Sequence, residues 1–280
     1  KAALKEITPA NAQGEYYLTD CLEIIGRRAP IAVYCMEDSR EAFGINDRVQ
    51  LAQAQKIMQQ EINRQHMLAG VTIIDPENTY IEVGVSIGQD TVIYPGSYIG
   101  TGSVIGRNCV LKGGNRLEKA VLGDKVTVNA SVLLSCSVGS GTTVGPNAYL
   151  RPGAQIGNNA RIGDFVEIKN AAIGDGTKVS HLSYVGDATV GSGCNIGCGA
   201  VFVNYDGKHK FRSVVGNNVF VGSNANVIAP VELKDGAYIA AGSTVTKDIP
   251  AGALCVARSR EYIKEKWAQE LRASWEKEKK

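Results

Sequence analysis

The chain has 280 residues, a formal net charge of +2, 32 glycines and only 6% aromatic residues. That length allows one large domain or a domain plus a fragment. The near-balanced charge excludes a nucleic-acid partner recruited by bulk electrostatics, and the scarcity of aromatics excludes a bulky globular core in favour of a narrow, repetitive interior.

The chain opens on KAALKEITPANAQGEYY, polar and without an initiator Met, as expected of a chain that begins inside a larger protein. There is no signal peptide and no apolar run of membrane-spanning length. Residues 1–46 mix helical and strand-like stretches and are assigned as an α/β segment. Residues 47–68 read as one long helix that Asp47 can cap and Gly70 follows, so 47–70 is a linker helix. The seven cysteines are scattered and odd in number, with Cys194 and Cys198 four apart. No CxxC pair forms, and a reduced, cytoplasmic thiol population is expected.

From Ile87 the chain falls into blocks of six, such as IGQDTV, IYPGSY, IGTGSV and IGRNCV, and later VGPNAY, LRPGAQ, IGNNAR and IGDFVE. An aliphatic residue opens each block and a small residue stands four places on. Six is a poor helical period and a good strand-plus-turn period. The opener and the small residue point inward, Gly and Asn take the corners, and three blocks close one triangular coil. One block cannot bury its apolar residue, but a stack can. The register slips near Leu122, Ile173 and Val190, and NYDGKHKFRS is ejected from the repeat between Phe202 and Val215. A polar loop thrown out of a regular stack is a place to look for function. The solenoid is assigned to 71–258, and 259–280 to a charged helical tail with Trp267 and Trp275, read as an end cap.

The segment 150–258 resembles the acetyltransferase domain of the bifunctional N-acetylglucosamine-1-phosphate uridylyltransferase/glucosamine-1-phosphate N-acetyltransferase family. The matching pieces are LRPGA, IGDFVEIKNA, HLSYVGDATVG, NIGCGA, NYDGKHKF, VFVGSNANVIAPV and AAGSTVTKDIP. Upstream, NAQGEYYLTD and GINDRVQL resemble the end of that family's uridylyltransferase domain, so the resemblance covers nearly the whole chain. It implies an all-β fold, a left-handed parallel β-helix. It also implies a homotrimer with active sites at subunit interfaces, and acetyl transfer from acetyl-CoA to glucosamine 1-phosphate. The Gly-rich nucleotide loop and early metal-binding Asp of the uridylyltransferase half have no match here. Asn46 matches the second metal ligand, but a useful Mg²⁺ site and uridylyl transfer are not expected of this chain.

The reaction needs a base for the amine proton and a donor for the tetrahedral oxyanion. His181, in VSHLSY, is the candidate base: alone it reads as a surface residue, and the flanking match makes it functional. Arg151 and Lys169 suit a sugar phosphate, a planar fork and a point charge. The resemblance adds Tyr184 and Asn195 as sugar contacts. Glu167 is expected to position the amine or hold His181, or else to pair with Lys169. On the acetyl-CoA side it assigns Asn204, Tyr205, Ser223, Ala241 and Arg258, with Lys210 and Arg258 meeting the CoA phosphates. The backbone N–H of Cys198 is the expected oxyanion donor, and its thiol is not expected to act as a nucleophile. A hexapeptide acyltransferase with another acceptor remains an alternative. A zinc enzyme of the γ-carbonic anhydrase type would need three converging histidines, and only His181 and His209 lie in the solenoid.

Overall fold

The computed structural model describes residues 1–278, which form two compact units, Lys1–Ala54 and the residues from Gln55 onward. In the first unit, α1 (Asp20–Gly26) lies between two short 3-10 helices, Ala3–Lys5 and Ser39–Ala42. The strand content expected of the N-terminal segment is absent among its described residues. Residues 31–35 run without a ladder partner, and an extended segment becomes a strand only when another strand takes up its backbone groups.

The second unit is a solenoid. Its described residues hold 30 short strands in three parallel sheets of eleven, ten and nine strands, successive neighbours in a sheet lying three strands apart in sequence except that Leu254–Cys255 pairs with Tyr238–Ile239, two strands before it. The first face starts at Thr72–Ile73, the second at Tyr80–Ile81 and the third at Ser86–Ile87. Every coil therefore lays one strand on each face, and the expected triangular cross-section follows. Among the described residues no helix is long and apolar enough to cross a membrane.

The block openers fill the interior as expected: Ile93, Ile99, Leu111, Leu117, Leu133, Leu150, Ile162 and Ile168 are fully buried. The small residues of the blocks are mostly buried too, and polar ones are commonly hydrogen-bonded along the stack, with Ser213 Oγ, buried and without a partner, an exception. Thr91 Oγ1 donates to Gly106 O (2.9 Å), Thr142 Oγ1 to Gly157 O (2.7 Å) and Thr177 Oγ1 to Gly191 O (2.7 Å). A buried hydroxyl without such a partner would cost about 1–3 kcal/mol. The interior is so narrow that Phe202 is the one fully buried aromatic among the described residues. The seven cysteines are free, and burial pushes the Cys136 thiol up to about 12.

Coils of unequal length stay in register because corner residues absorb the difference. Ile105, Leu122, Val138, Ile156, Ile173 and Val190 stack in one inward column on the third face. At the corner before that face Lys119, Ser135, Asn170 and Asp187 take positive φ, between 46° and 50°. That tight turn lets a shorter coil close.

The first coil has no coil beneath it, and helix α2 (Arg48–Leu68) supplies its partners. Gln59 and Asn63, four apart and therefore on one helix face, are both buried. Gln59 Nε2 donates to Thr79 O (2.6 Å), and Asn63 Nδ2 donates to Pro76 O and Thr79 O (both 2.9 Å). A bare sheet end would leave those carbonyls as a template for pairing with another chain. At the other end α3 spans Trp267–Glu278, shorter than the expected tail, with Lys266 at φ +58° before it. Trp267 and Trp275 are half exposed, so α3 does not bury them as a cap within this chain.

The stacking leaves no room at certain glycines. A Cβ added to Gly163 would fall 1.9 Å from Ser180 O in the next coil, whereas at Gly114 the nearest atom would be 3.4 Å away. Gly163→Ala is therefore expected to destabilise by at least about 1–3 kcal/mol, the range for overpacking, and Gly114→Ala by about 0.5 kcal/mol or less. Chemical denaturation of the two variants checks this, and equal losses would contradict the stacking.

Candidate active site

The three corners of the coil differ in how they treat backbone N–H groups. At the third corner, between the third face and the first, side chains of the next coil take them up. Arg107 N–H donates to Asp124 Oδ1 (2.8 Å), Asp124 N–H to Ser140 Oγ (3.0 Å), Ser140 N–H to Asn158 Oδ1 (2.9 Å) and Asn158 N–H to Asp175 Oδ1 (2.6 Å). This corner is closed by its own sequence.

The first corner, between the first and second faces, is open over its last coils. Its column runs Asp164, His181, Cys198, Ser223, Ala241, one residue per coil. Leu182 N–H donates to Asp164 O (2.9 Å), Gly199 N–H to His181 O (3.4 Å), Asn224 N–H to Cys198 O (2.8 Å) and Gly242 N–H to Ser223 O (2.8 Å). The N–H groups of Cys198, Ser223 and Ala241 themselves have no hydrogen-bond partner among the described residues. Glycines keep two of them uncovered: a Cβ on Gly197 would stand 2.6 Å from Ser223 N, and one on Gly222 2.4 Å from Ala241 N. Arg258 lies beside this corner, its Cδ 3.8 Å from where a Cβ of Gly242 would sit. So three expected acetyl-CoA residues, the expected oxyanion donor and the expected base share one edge.

His181 does not rely on Glu167. Its Nδ1 is 2.5 Å from Oδ1 of Asp164, the residue paired with it across the ladder. The His181 hydrogen bond and the Asp164 backbone N–H hold the Asp164 carboxyl below the usual carboxylate range, against a smaller effect of burial. An ionised carboxylate only accepts, so Nδ1 carries a hydrogen, and in the neutral ring the lone pair is then on Nε2. The ring is about half exposed. Each member of this pair is followed by a large apolar residue at positive φ, Phe165 (φ 54°) and Leu182 (φ 47°), both mostly exposed. Strain of that kind costs about 1–3 kcal/mol and gathers at functional sites.

Glu167 pairs instead with Arg151, Nη1 to Oε1 at 2.8 Å, which raises the Arg151 pKa. Arg151 also lies 5.8 Å over the Tyr149 ring. Arg151 and Lys169 both lead into the second corner, between the second and third faces, where the ejected segment leaves the stack. That segment is an ordered hairpin. Tyr205 bridges Lys210, and Asp206 Oδ1 accepts from Lys208 N–H (2.7 Å) and His209 N–H (2.6 Å). The fold-back sets the Lys210 amine against Lys169, whose hydrogen bond and then charge lower the Lys210 pKa. Within one chain Lys210 therefore stands apart from Arg258, with which it was expected to meet the CoA phosphates. It stands with the sugar-phosphate candidates, and Asn204 and Tyr205 stand at the same corner.

Tyr184 is placed by a glycine. A Cβ on Gly186 would overlap the Tyr184 hydroxyl and ring, so the bare Gly186 lets the ring lie back over it, and Asn204 Nδ2 reaches the Tyr184 hydroxyl at 3.4 Å. Asn195 is elsewhere, on the outer side of the first face between Lys178 and Phe220. The site residues of one chain thus form two clusters on the two edges of the second face, with Asn195 beyond the first. A groove of about 470 Å³ on the third face, between Gln155, Asp175, Thr189 and Ser192, holds none of them.

No group of three His, Cys, Asp or Glu side chains among the described residues could hold a metal. Asn46 is exposed, and its N–H donates to Gln50 Oε1 (2.6 Å). These residues do not fit a magnesium ion, and the histidines do not converge on a zinc site.

Comparison with known proteins agrees with the repeat reading. The "Bacterial transferase hexapeptide (six repeats)" profile matches residues 84–119 and 212–247, and the "GMPPB C-terminal domain" profile matches residues 134–224. The chain is 54% identical over 266 residues to the bifunctional protein GlmU of Acetivibrio thermocellus and 47% identical over 270 residues to that of Listeria innocua. The alignments cover 95% and 96% of this chain but 58% and 59% of those relatives. A solved UDP-N-acetylglucosamine acyltransferase, LpxA of Bacteroides fragilis 9343, superposes with a TM-score of 0.47 at 20% identity, covering 65% of this chain and 70% of that one. On the strength of its repeat, its left-handed β-helix and its 47–54% identity to the two GlmU proteins over 95–96% of its own length, the chain belongs to the GlmU family of hexapeptide-repeat transferases.

Proposed function

We propose that the chain transfers the acetyl group of acetyl-CoA to the amine of glucosamine 1-phosphate, giving N-acetylglucosamine 1-phosphate for UDP-N-acetylglucosamine synthesis. The observation that carries this reading is the first-corner column, where an Asp164–His181 pair stands one coil from a row of unpaired backbone N–H groups. Family membership supplies the choice of substrates.

The glucosamine amine is mostly protonated at neutral pH and must lose one proton before it can attack. His181 Nε2 takes the proton of the attacking nitrogen as the N–C bond forms. The thioester oxygen becomes an oxyanion, which the Cys198 N–H is placed to receive. The C–S bond then breaks, and the CoA thiolate recovers the proton from the imidazolium. Asp164 stabilises that imidazolium and fixes the tautomer. Arg151 retains N–H groups beyond its bond to Glu167, and with Lys169 and Lys210 it offers a cationic seat for the phosphate.

One chain does not complete this arrangement. At about 3.3 Å per extended residue, the stretch from His181 to Gly186, the position one coil above Lys169, spans on the order of 16 Å. The amine and phosphate of glucosamine 1-phosphate sit on neighbouring carbons. Asn195, on another face, is farther still from Arg151. A shared site follows, in which the first corner of one subunit meets the second corner of its neighbour, and a trimer closes it.

Four outcomes test this. Light scattering at micromolar concentration is expected to give a trimer, and a monomer would sink the shared site. His181→Ala is expected to lower kcat by about 10²-fold or more, with partial recovery as rising pH deprotonates the amine. Arg151→Ala should instead raise KM for the sugar phosphate. Asp164→Asn, whose amide can donate to Nδ1 and hold the wrong tautomer, is expected to lower kcat at least about tenfold with KM nearly unchanged. Wild-type-like kcat in both the His181 and Asp164 variants would refute the base assignment. Failure to release CoA with glucosamine 1-phosphate, together with turnover of another amine, would favour the alternative acceptor.

A further inference from the structure

Asp187 was singled out by no motif. It occupies the second corner one coil above Asn170, at φ +46°, directly beneath the point where the ejected hairpin leaves the stack. Its carboxylate is buried. Oδ1 accepts from Asn170 Nδ2 (2.5 Å) and Oδ2 from Asn204 Nδ2 (2.5 Å), and Ser213 N–H, at the hairpin's return, donates to Asp187 O (3.2 Å). Lys169 and Lys210 supply the nearby positive charge, the Tyr184 hydroxyl lies against Asn204, and Arg212 Nη2 donates to Asn170 O (3.4 Å) and Ala188 O (3.2 Å) beside Asp187. Burial pushes the Asp187 carboxyl up, but the two amide hydrogen bonds and the two lysines outweigh it and the net shift is downward. At neutral pH Asp187 is ionised and can only accept.

That restriction decides which way Asn204 faces. Against a carboxylate an amide must present its NH₂ end, and Nδ2 also reaches the Tyr184 hydroxyl. Both hydrogens are spent, so Oδ1 points outward as an acceptor. We infer that Asp187 is a positioning residue for the transferase site, orienting Asn204 so that its carbonyl oxygen meets an N–H donor of acetyl-CoA and anchoring the hairpin that carries Lys210. The inference rests on the proposed acetyl-CoA role of Asn204.

The competing explanation is conformational. Asp tolerates positive φ, and Asn tolerates it at least as well, so a purely structural corner predicts that Asp187→Asn is silent. Under the proposal, the substituted amide sets an NH₂ against one of two other NH₂ groups, those of Asn170 and Asn204. CoA affinity by isothermal titration and KM for acetyl-CoA should then both weaken about tenfold or more, the range for an unmet polar group, with kcat falling much less. Hydrogen exchange at the Phe211 N–H, which bonds Asn204 O at 2.9 Å, should rise.

The swap Asp187→Asn/Asn204→Asp restores a donor–acceptor pair and still offers an outward oxygen, so it should recover affinity for CoA. A silent single variant overturns the proposal, as does a folded swap that stays weak. If the single variant unfolds, the swap alone decides. Should the wild-type chain fail to bind CoA, the functional reading has failed, and the anchoring is judged by Phe211 exchange alone.

Discussion

The controlling constraint is the ladder between successive coils. Because strands pair in parallel from coil to coil, almost always with the strand three away in sequence, each corner becomes a column, and residues far apart in sequence stand one inter-strand spacing apart, about 4.8 Å. The fold needs only aliphatic residues inside and something small at the turns. That leaves the outward and corner positions free to vary, and the chemistry is written there. Asp164 meets His181, and Asp187 meets Asn170 and Asn204, because the ladder brings them level.

The same constraint explains the contrast between the corners. A corner N–H must find an acceptor or lose hydrogen-bonding free energy. Asp, Asn and Ser in the next coil provide one at the third corner. At the first corner Cys198, Ser223 and Ala241 have none among the described residues. A solenoid optimised for stability alone would close both, and the proposed reaction gives the open corner its use, since carbonyl or phosphate acceptors of a ligand can take up those N–H groups.

Much of this was legible in the sequence. Ile93, Ile99, Leu111 and their successors announce the coil by period, and the ejected loop announces itself by breaking it. The partner of His181 was not legible. Counting three hexads back from His181 lands on Gly163, and only the shortened coil, absorbed at a corner, moves the partner to Asp164. The Glu167–Arg151 pair was not legible either, because sequence places Glu167 near both Lys169 and the histidine motif, while the ladder sets it beside Tyr149 and within reach of the Arg151 fork. The place of Lys210 beside Lys169 was hidden because a loop's fold-back leaves no periodic trace. The N-terminal strands failed for the opposite reason: local preference for extension is not enough without a neighbouring strand.

The most direct measurement is a crystal structure of the protein with CoA and N-acetylglucosamine 1-phosphate. The product's acetamide nitrogen is expected within hydrogen-bonding reach of His181 Nε2, with its carbonyl oxygen on the Cys198 N–H of the first corner. The phosphate is expected on Arg151, Lys169 and Lys210 from the second corner of a neighbouring subunit. Product bound away from the first-corner column, or held on both corners of a single chain, would contradict the shared site.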